Sequence, residues 1–253
     1  KVRGKVDFER RRQLMQHHSS AHLVNLCASE VLGPHVWQAG AAKTLEKGRL
    51  DVTHYDAISE EQLRKIEKCC NDKIKVNLPV KKEILPREEA EDKYGMHIYQ
   101  GGFVPGKNLR IVTIGTDVEA CGGTHANSLG DLEQLKIISS AKVQDGVVRI
   151  NYTAGNAARQ EEQGAQNLLK ETAKILGVKE SQVPARCAEL FLKWKNAKKA
   201  AQKGGKDADL KLSSKDEMKG SADELLAEAA KAFSTQPEHV PKTAKRFLDE
   251  LGA

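Results

Sequence analysis

Two short clusters of metal-binding residue types, His18 with His22 and Cys121 with His125, stand far apart in this 253-residue chain. If they act together, the fold must bring both to one point, a tighter constraint than any other feature imposes. His18 and His22 lie four apart in a helical stretch, so both rings project from one face, a turn apart. Two imidazoles so placed can reach one cation at about 2.0–2.1 Å each. Cys121-Gly122-Gly123-Thr124-His125 sets a thiolate and an imidazole on one tight loop, where two glycines allow backbone paths that other residues resist. A mixed His and Cys donor set suits zinc better than calcium or magnesium. Either cluster alone is as compatible with an ordinary packed or solvated histidine; the pair of clusters is not.

The other cysteines, Cys27, Cys69, Cys70 and Cys187, have no His partner at such spacing. An odd count without framework spacing points to a reducing compartment, with cytoplasm as the expected location. Vicinal Cys69 and Cys70 sit in one expected helix and should face core and surface separately. No run of eighteen apolar residues is present, which excludes a hydrophobic spanning helix. The opening KVRGKVDFERRR lacks the apolar stretch of a secretory signal and reads as the charged first turns of a helix, so the chain is expected to be part of something longer. A net charge of +6 is compatible with an RNA partner and too mild to demand one.

Apolar spacing predicts a long helix over 7–32, stopped by Gly33-Pro34. Extended pieces follow over 35–53, clearest at Arg49–Thr53. Ser59 with Gln62 is a capping box opening a helix to about Asp72. The alternation of Ile74, Val76, Leu78 and Val80 predicts a strand over 73–81. A short helix is expected over 88–94, and strands over 96–99, 109–114, 132–139 and 147–152, the last two joined at Gln144-Asp145-Gly146. The expected fold class is α+β, a mixed or antiparallel sheet with long packed helices over 1–155. An all-α tail of helical hairpins follows. Leu168–Lys174 and Gln182-Val183-Pro184 recur as Leu225–Lys231 and His239-Val240-Pro241, predicting one hairpin over 156–194 and its repeat over 221–253. Proline at a helix start explains the Val-Pro element without chemistry. The Lys/Gly/Ser-rich stretch 195–220 reads as a flexible linker.

His18-Ser19-Ser20-Ala21-His22 paired with Cys121-Gly122-Gly123-Thr124-His125 resembles the signature of the alanyl-tRNA synthetase editing domain and of its free-standing editing relatives. Leu32–Gly40 and Arg49–His54 resemble the segments that follow in that family, and Asp117-Val118-Glu119-Ala120 is similar to the form in archaeal members. The likeness covers roughly Val2 to Gly155. Ser19 stands where the family usually has Thr, and Ala41 where Ser is common. Nothing resembles the aminoacylation core, so aminoacylation by this chain alone is not expected.

The resemblance implies an aminoacyl-tRNA hydrolase that removes serine or glycine mischarged onto the alanine tRNA, with one zinc per chain on His18, His22, Cys121 and His125. Four protein ligands would close a tetrahedral shell and make the ion structural or positioning, whereas a catalytic zinc keeps a position open; the sequence leaves both readings standing. Ser19 and Gln38 are the candidates for reading the serine side chain or terminal ribose, with Gly122, Gly123 and Thr124 forming the substrate side of the loop. Asp51 and His54 are candidates for a base or for a group orienting a ligand histidine, although Asp51 could as easily hold Arg49. His17 should face packing. Phosphate contacts fall to Arg11, Arg12, Lys43 and Lys107, each of which a solvated surface would equally explain. The expected partners are the acceptor end of tRNA(Ala), a synthetase catalytic core in this or another chain, and a second copy through the helical tail, with no membrane. Two other readings compete: a non-catalytic, zinc-stabilised tRNA-binding module, and a metallo-hydrolase of a small ester or amide.

Overall fold

The computed structural model describes residues 2–202 and 211–251, which form two compact units dividing between Arg159 and Gln160. In the first, α1 (Phe8–Leu32) opens on Asp7, whose carboxylate caps the Arg10 amide at 3.1 Å, and closes at Gly33. From Gln16 to Ala28 nearly every side chain of α1 is buried, including polar His17, Ser19, Ser20, His22 and Asn25. A helix buried all round must be surrounded by other elements and must satisfy its polar groups within the protein. His17 does so as expected from its packing position, with Nδ1 2.9 Å from the Thr44 carbonyl and Nε2 3.1 Å from Gln13.

Around α1 run β1 (Gln38–Lys43), β2 (Gly48–Thr53), α2 (Glu60–Val76), β3 (Val80–Pro86), α3 (Arg87–Tyr94), β4 (Asn108–Ile114), β5 (Asp117–Ala120), β6 (Leu135–Gln144) and β7 (Val147–Ala154). The strands make two antiparallel sheets, ordered β1-β2-β7-β6 and β3-β4-β5. The α+β class is as expected, with two sheets in place of one and no parallel pairing among the described residues. Leu50, Val52, Val148, Ile150 and Tyr152 of the first sheet share one core with Leu23, Val24, Ile66 and Ile74 of the two long helices. Leu109 and Ile111 of β4 and Ala120 of β5 pack a smaller cluster with Ala90, Ile98 and Tyr99.

Three expected elements are corrected. The strand over 73–81 is the end of α2: Ile66, Cys70 and Ile74 recur every four residues as a buried stripe, and Asn77 ends the helix in the left-handed conformation. Only Val80 onward is extended. Residues 96–99 form a 3-10 turn that buries Ile98 and Tyr99. The strand expected from 132 starts at Leu135, after a 3-10 turn over Leu129–Leu132. Cysteine chemistry also differs from expectation. Cys70 is buried and free, but the sulfurs of Cys27 and Cys69 are paired, linking α1 to α2. Spacing gave no hint of the pair because its members come from separate helices.

The second unit holds most of α4 (Asn156–Leu176) with α5 (Val183–Gln202), α6 (Ala222–Phe233) and α7 (Val240–Leu251). Both Val-Pro pairs open a helix after a 3-10 turn, and Val183 and Val240 are fully buried in one core with Leu169, Leu190, Leu226 and Phe247. The expected linker is corrected in part. α5 continues past Trp194 to Gln202, through alanines and lysines that favour helix. Ser213 and Ser214 amides bind Glu189 at 2.8 Å, Arg186 donates to the Ser214 carbonyl at 2.7 Å, and the Met218 amide reaches the Ser181 carbonyl at 2.8 Å. Residues 203–210 of that linker lie outside the described residues. No helix among the described residues is long and apolar enough to cross a membrane.

Candidate metal centre

Strand β5 runs straight into Cys121, and the loop that follows folds back over α1. Its path is clamped from β4. The Cys121 amide donates to the Arg110 carbonyl at 2.9 Å, while Arg110 Nη1 donates to the carbonyls of Cys121 at 2.8 Å and Gly123 at 2.7 Å. From the far side, Ser19 Oγ accepts from the Ala126 amide at 3.0 Å and lies 3.2 Å from His125 Nδ1.

The result joins the two distant clusters. Cys121 Sγ lies 3.4 Å from His18 Nε2 and 3.4 Å from His125 Nε2. The His125 ring centre is 4.3 Å from that of His18 and 4.6 Å from that of His22. One donor atom from each of the four residues falls within 4.8 Å of all the others. A tetrahedral zinc with ordinary N and S bond lengths has corners roughly 3.4–3.8 Å apart, so the spacing and the donor chemistry both fit that ion.

The electrostatics fit as well. Burial alone would raise the Cys121 thiol, but hydrogen bonds from His125, His18 and His22 overturn that and bring it down to about 3, a thiolate at any physiological pH. Burial, with the neighbouring His22 and His18, pushes His125 down to about 4, so it is neutral and free to donate its lone pair. His22 is the opposite case. Burial would lower it, yet Glu119, Asp117 and Cys121 outweigh burial and lift it to about 10. Zinc binding to stripped protein near neutral pH is therefore expected to release protons rather than take them up, about one per ion and from His22. Calorimetry in buffers of differing ionisation enthalpy reads that number, and a value near zero would contradict the assignment.

The remaining candidates separate. Ser19 is fully buried with its hydroxyl engaged by the loop, which makes it an anchor for His125 in place of the substrate contact first expected. Ser19→Ala strands two buried polar groups and is expected to cost about 1–3 kcal/mol in urea unfolding; a loss below about 0.5 kcal/mol would refute the anchor. Gln38 begins β1, its amide donating to Gln100 Oε1 at 3.0 Å and its side chain lying against Gly101. Gly122 and Thr124 are exposed, and a Cβ at Gly122 would meet open space. Asp51 is committed elsewhere: it stands directly across β2–β7 from Arg149 and takes both guanidinium bonds, at 2.7 and 3.0 Å, with Arg49 at 3.8 Å. His54 bonds His35 at 2.8 Å, stacks on its ring, and lies tilted against Tyr55. None of these contacts is to His18, His22, Cys121 or His125. Among the phosphate candidates, Arg12 is paired with Glu133 at 2.7 Å, Arg11 and Lys107 are exposed, and Lys43 is half-buried under the charges of Cys121 and Glu119.

Two residues at the site were not singled out as site residues in the sequence, Asp117 and Glu119. Their signal was available: carboxylates two apart on a strand share a face, and Cys121 two further on shares it too.

The model of the threonyl and alanyl tRNA synthetase second additional domain matches residues 109–151. An alanine–tRNA ligase of Natronomonas pharaonis is 47% identical over 195 residues, 77% of this chain and 21% of that protein. One of Methanococcus maripaludis is 43% identical over 202 residues, 79% of this chain and 23% of its own length. One of Methanobrevibacter smithii is 44% identical over 216 residues, 85% and 24% respectively. The chain thus spans about a fifth to a quarter of the length of these relatives.

Proposed function

This chain is homologous to the editing region of archaeal alanine–tRNA ligases, and from that premise we propose that it hydrolyses the ester of serine or glycine mischarged onto the alanine tRNA. The observation that carries the reading is the convergence of His18, His22, Cys121 and His125. The need for such a step is physical: one methyl discriminates by only about 1–3 kcal/mol, so a pocket made for alanine admits glycine, and serine differs merely by a hydroxyl.

In this reading one zinc per chain is held by those four residues and, when bound, supplies Lewis-acid polarisation or a fixed point for the acceptor end. The protein's own groups do the rest. Gly122 and Thr124 form the open side over which the aminoacyl ester approaches. Gln38 reads the serine hydroxyl or the terminal ribose. Lys43, half-buried beside the centre, with Arg11, Arg12 and Lys107 further out, meets the phosphates. Ser19 holds His125 in register. The partners are the acceptor end of tRNA(Ala) and a synthetase catalytic core, in the cytoplasm, and the helical tail joins a second copy.

A deacylation assay tests this directly. Ser-tRNA(Ala) and Gly-tRNA(Ala) should lose their amino acid far faster than Ala-tRNA(Ala), and free serine esters should gain nothing. A closed shell of four protein ligands also favours a second reading, a zinc-stabilised tRNA-binding module without turnover. That reading wins if the chain retards tRNA in a gel yet leaves every ester intact.

A further inference from the structure

One nitrogen of the four-residue cluster faces away from the other three residues, toward two carboxylates. His22 is 2% exposed, and its Nδ1 has no hydrogen-bond partner of good geometry. It faces two carboxylates, Glu119 Oε2 at 3.4 Å and Asp117 Oδ2 at 3.6 Å, whose side chains are 4% and 10% exposed. Asp117 Oδ2 is likewise buried without a partner. Two unspent polar groups beside a buried carboxylate in a dry place would be costly unless a shared proton joins them.

We propose that Glu119, seconded by Asp117, is the positioning residue of this centre: it accepts Nδ1–H of His22 and so reserves Nε2 for zinc. The inference rests on the zinc reading given above. A neutral imidazole carries one proton, and the nitrogen holding it cannot bind a metal. A carboxylate at Nδ1 therefore selects the tautomer, fixes the ring plane and makes Nε2 a stronger donor. Among the described residues no such acid is paired with His18 or His125; His125 Nδ1 meets the Ser19 hydroxyl. His22 is thus the ligand most dependent on its support.

The support extends further. Asn25, one turn along α1 and buried, points its amide at Glu119 Oε1 at 3.5 Å and at Gln100 Oε1 at 3.3 Å. Gln100 Oε1 in turn accepts the backbone amide of Gln38 at 3.0 Å. A line of polar contacts therefore runs from the first residue of β1 through Gln100, Asn25 and Glu119 to the metal-binding histidine. A shift of β1 would be felt at His22.

The test compares the full chain with Glu119→Gln, Glu119→Asp, Asp117→Asn and the double Gln/Asn variant. Zinc affinity is read by competition with a chromophoric chelator, and cobalt is substituted to give a spectrum of the ligand field. Glu119→Gln should weaken zinc roughly 10–100-fold, Glu119→Asp less, and the double variant most. The d–d bands of the cobalt form should move while the thiolate charge-transfer band stays, a signature that simple loss of packing would not produce. Melting curves in excess chelator show whether each variant folds like the wild type, and Asp117→Asn carries the test if Glu119→Gln does not. Wild-type affinity and spectrum in all four variants would overturn the proposal while leaving the zinc reading intact. Two zinc ions per chain, one lost on changing the acids, would overturn it differently, by making Asp117 and Glu119 ligands themselves. A wild type that holds no zinc would end both readings together.

Discussion

Cys121→Ala is expected to lose zinc on passage through a desalting column and to hydrolyse Ser-tRNA(Ala) at least about 10³-fold more slowly, some 4 kcal/mol of transition-state stabilisation. The thiolate is the single anionic member of the four, so its removal leaves three neutral rings to balance a dication. It also takes away the acceptor toward which His18 and His125 turn, each at 3.4 Å. What the variant keeps is the fold. Cys121 lies at the margin of the core, half-exposed, whereas the packing of α1 on both sheets and on α2 runs through Leu23, Val24, Leu50, Ile66, Ile114 and Ile150. The melting temperature in excess chelator should therefore match that of the wild type. This separates the two readings of the centre. A domain that depends on its metal for folding would collapse with the thiolate, and an editing site would stand folded and inert. Undiminished hydrolysis by the variant would remove the centre from the reaction altogether.

How much of this was visible in the residue string depended on how local the physics is. α1 was legible from its apolar spacing to its glycine stop, since both signals lie within the helix or directly beside it. The four converging residues were legible for a related reason: a His pair one turn apart and a thiol on a glycine-rich loop each show their chemistry within five residues. The end of α2 was not. Ile74, Val76, Leu78 and Val80 alternate like a strand, yet Ile74 also extends the Ile66–Cys70 stripe, and burial against α1 favoured the helix. Asp51 failed similarly. Its carboxylate beside a histidine-containing segment suggested acid–base work, but the β2–β7 register sets Arg149 opposite it, a pairing that no local pattern reveals. Glu119 was missed in the opposite direction. Its meaning lies in the α1 side chains it faces, His22 and Asn25, which only the fold supplies.

Gly123→Ala is expected to reduce zinc affinity on the order of 10²–10³-fold without touching a single ligand, about 3–4 kcal/mol. A Cβ at this position would fall inside the imidazole of His18, against Cε1, Nδ1 and Nε2 at once. Something must move, and neither side is free to. The ring has His125 4.3 Å away on one side and Cys121 Sγ 3.4 Å from its Nε2, so withdrawing it breaks the constellation. The loop is pinned by Arg110, which holds the carbonyls on both sides of Gly122. Close packing turns one methyl into the loss of a ligand. Gly122→Ala is the matched control, because a Cβ there meets nothing within 4 Å. It should bind zinc as the wild type does. If the aminoacyl end passes over this open face, Gly122→Ala slows deacylation while its zinc stays in place, and a larger side chain at the same position slows it more. Equal zinc loss in both glycine variants would show that the loop tolerates no substitution at all, and the steric account of Gly123 would fall.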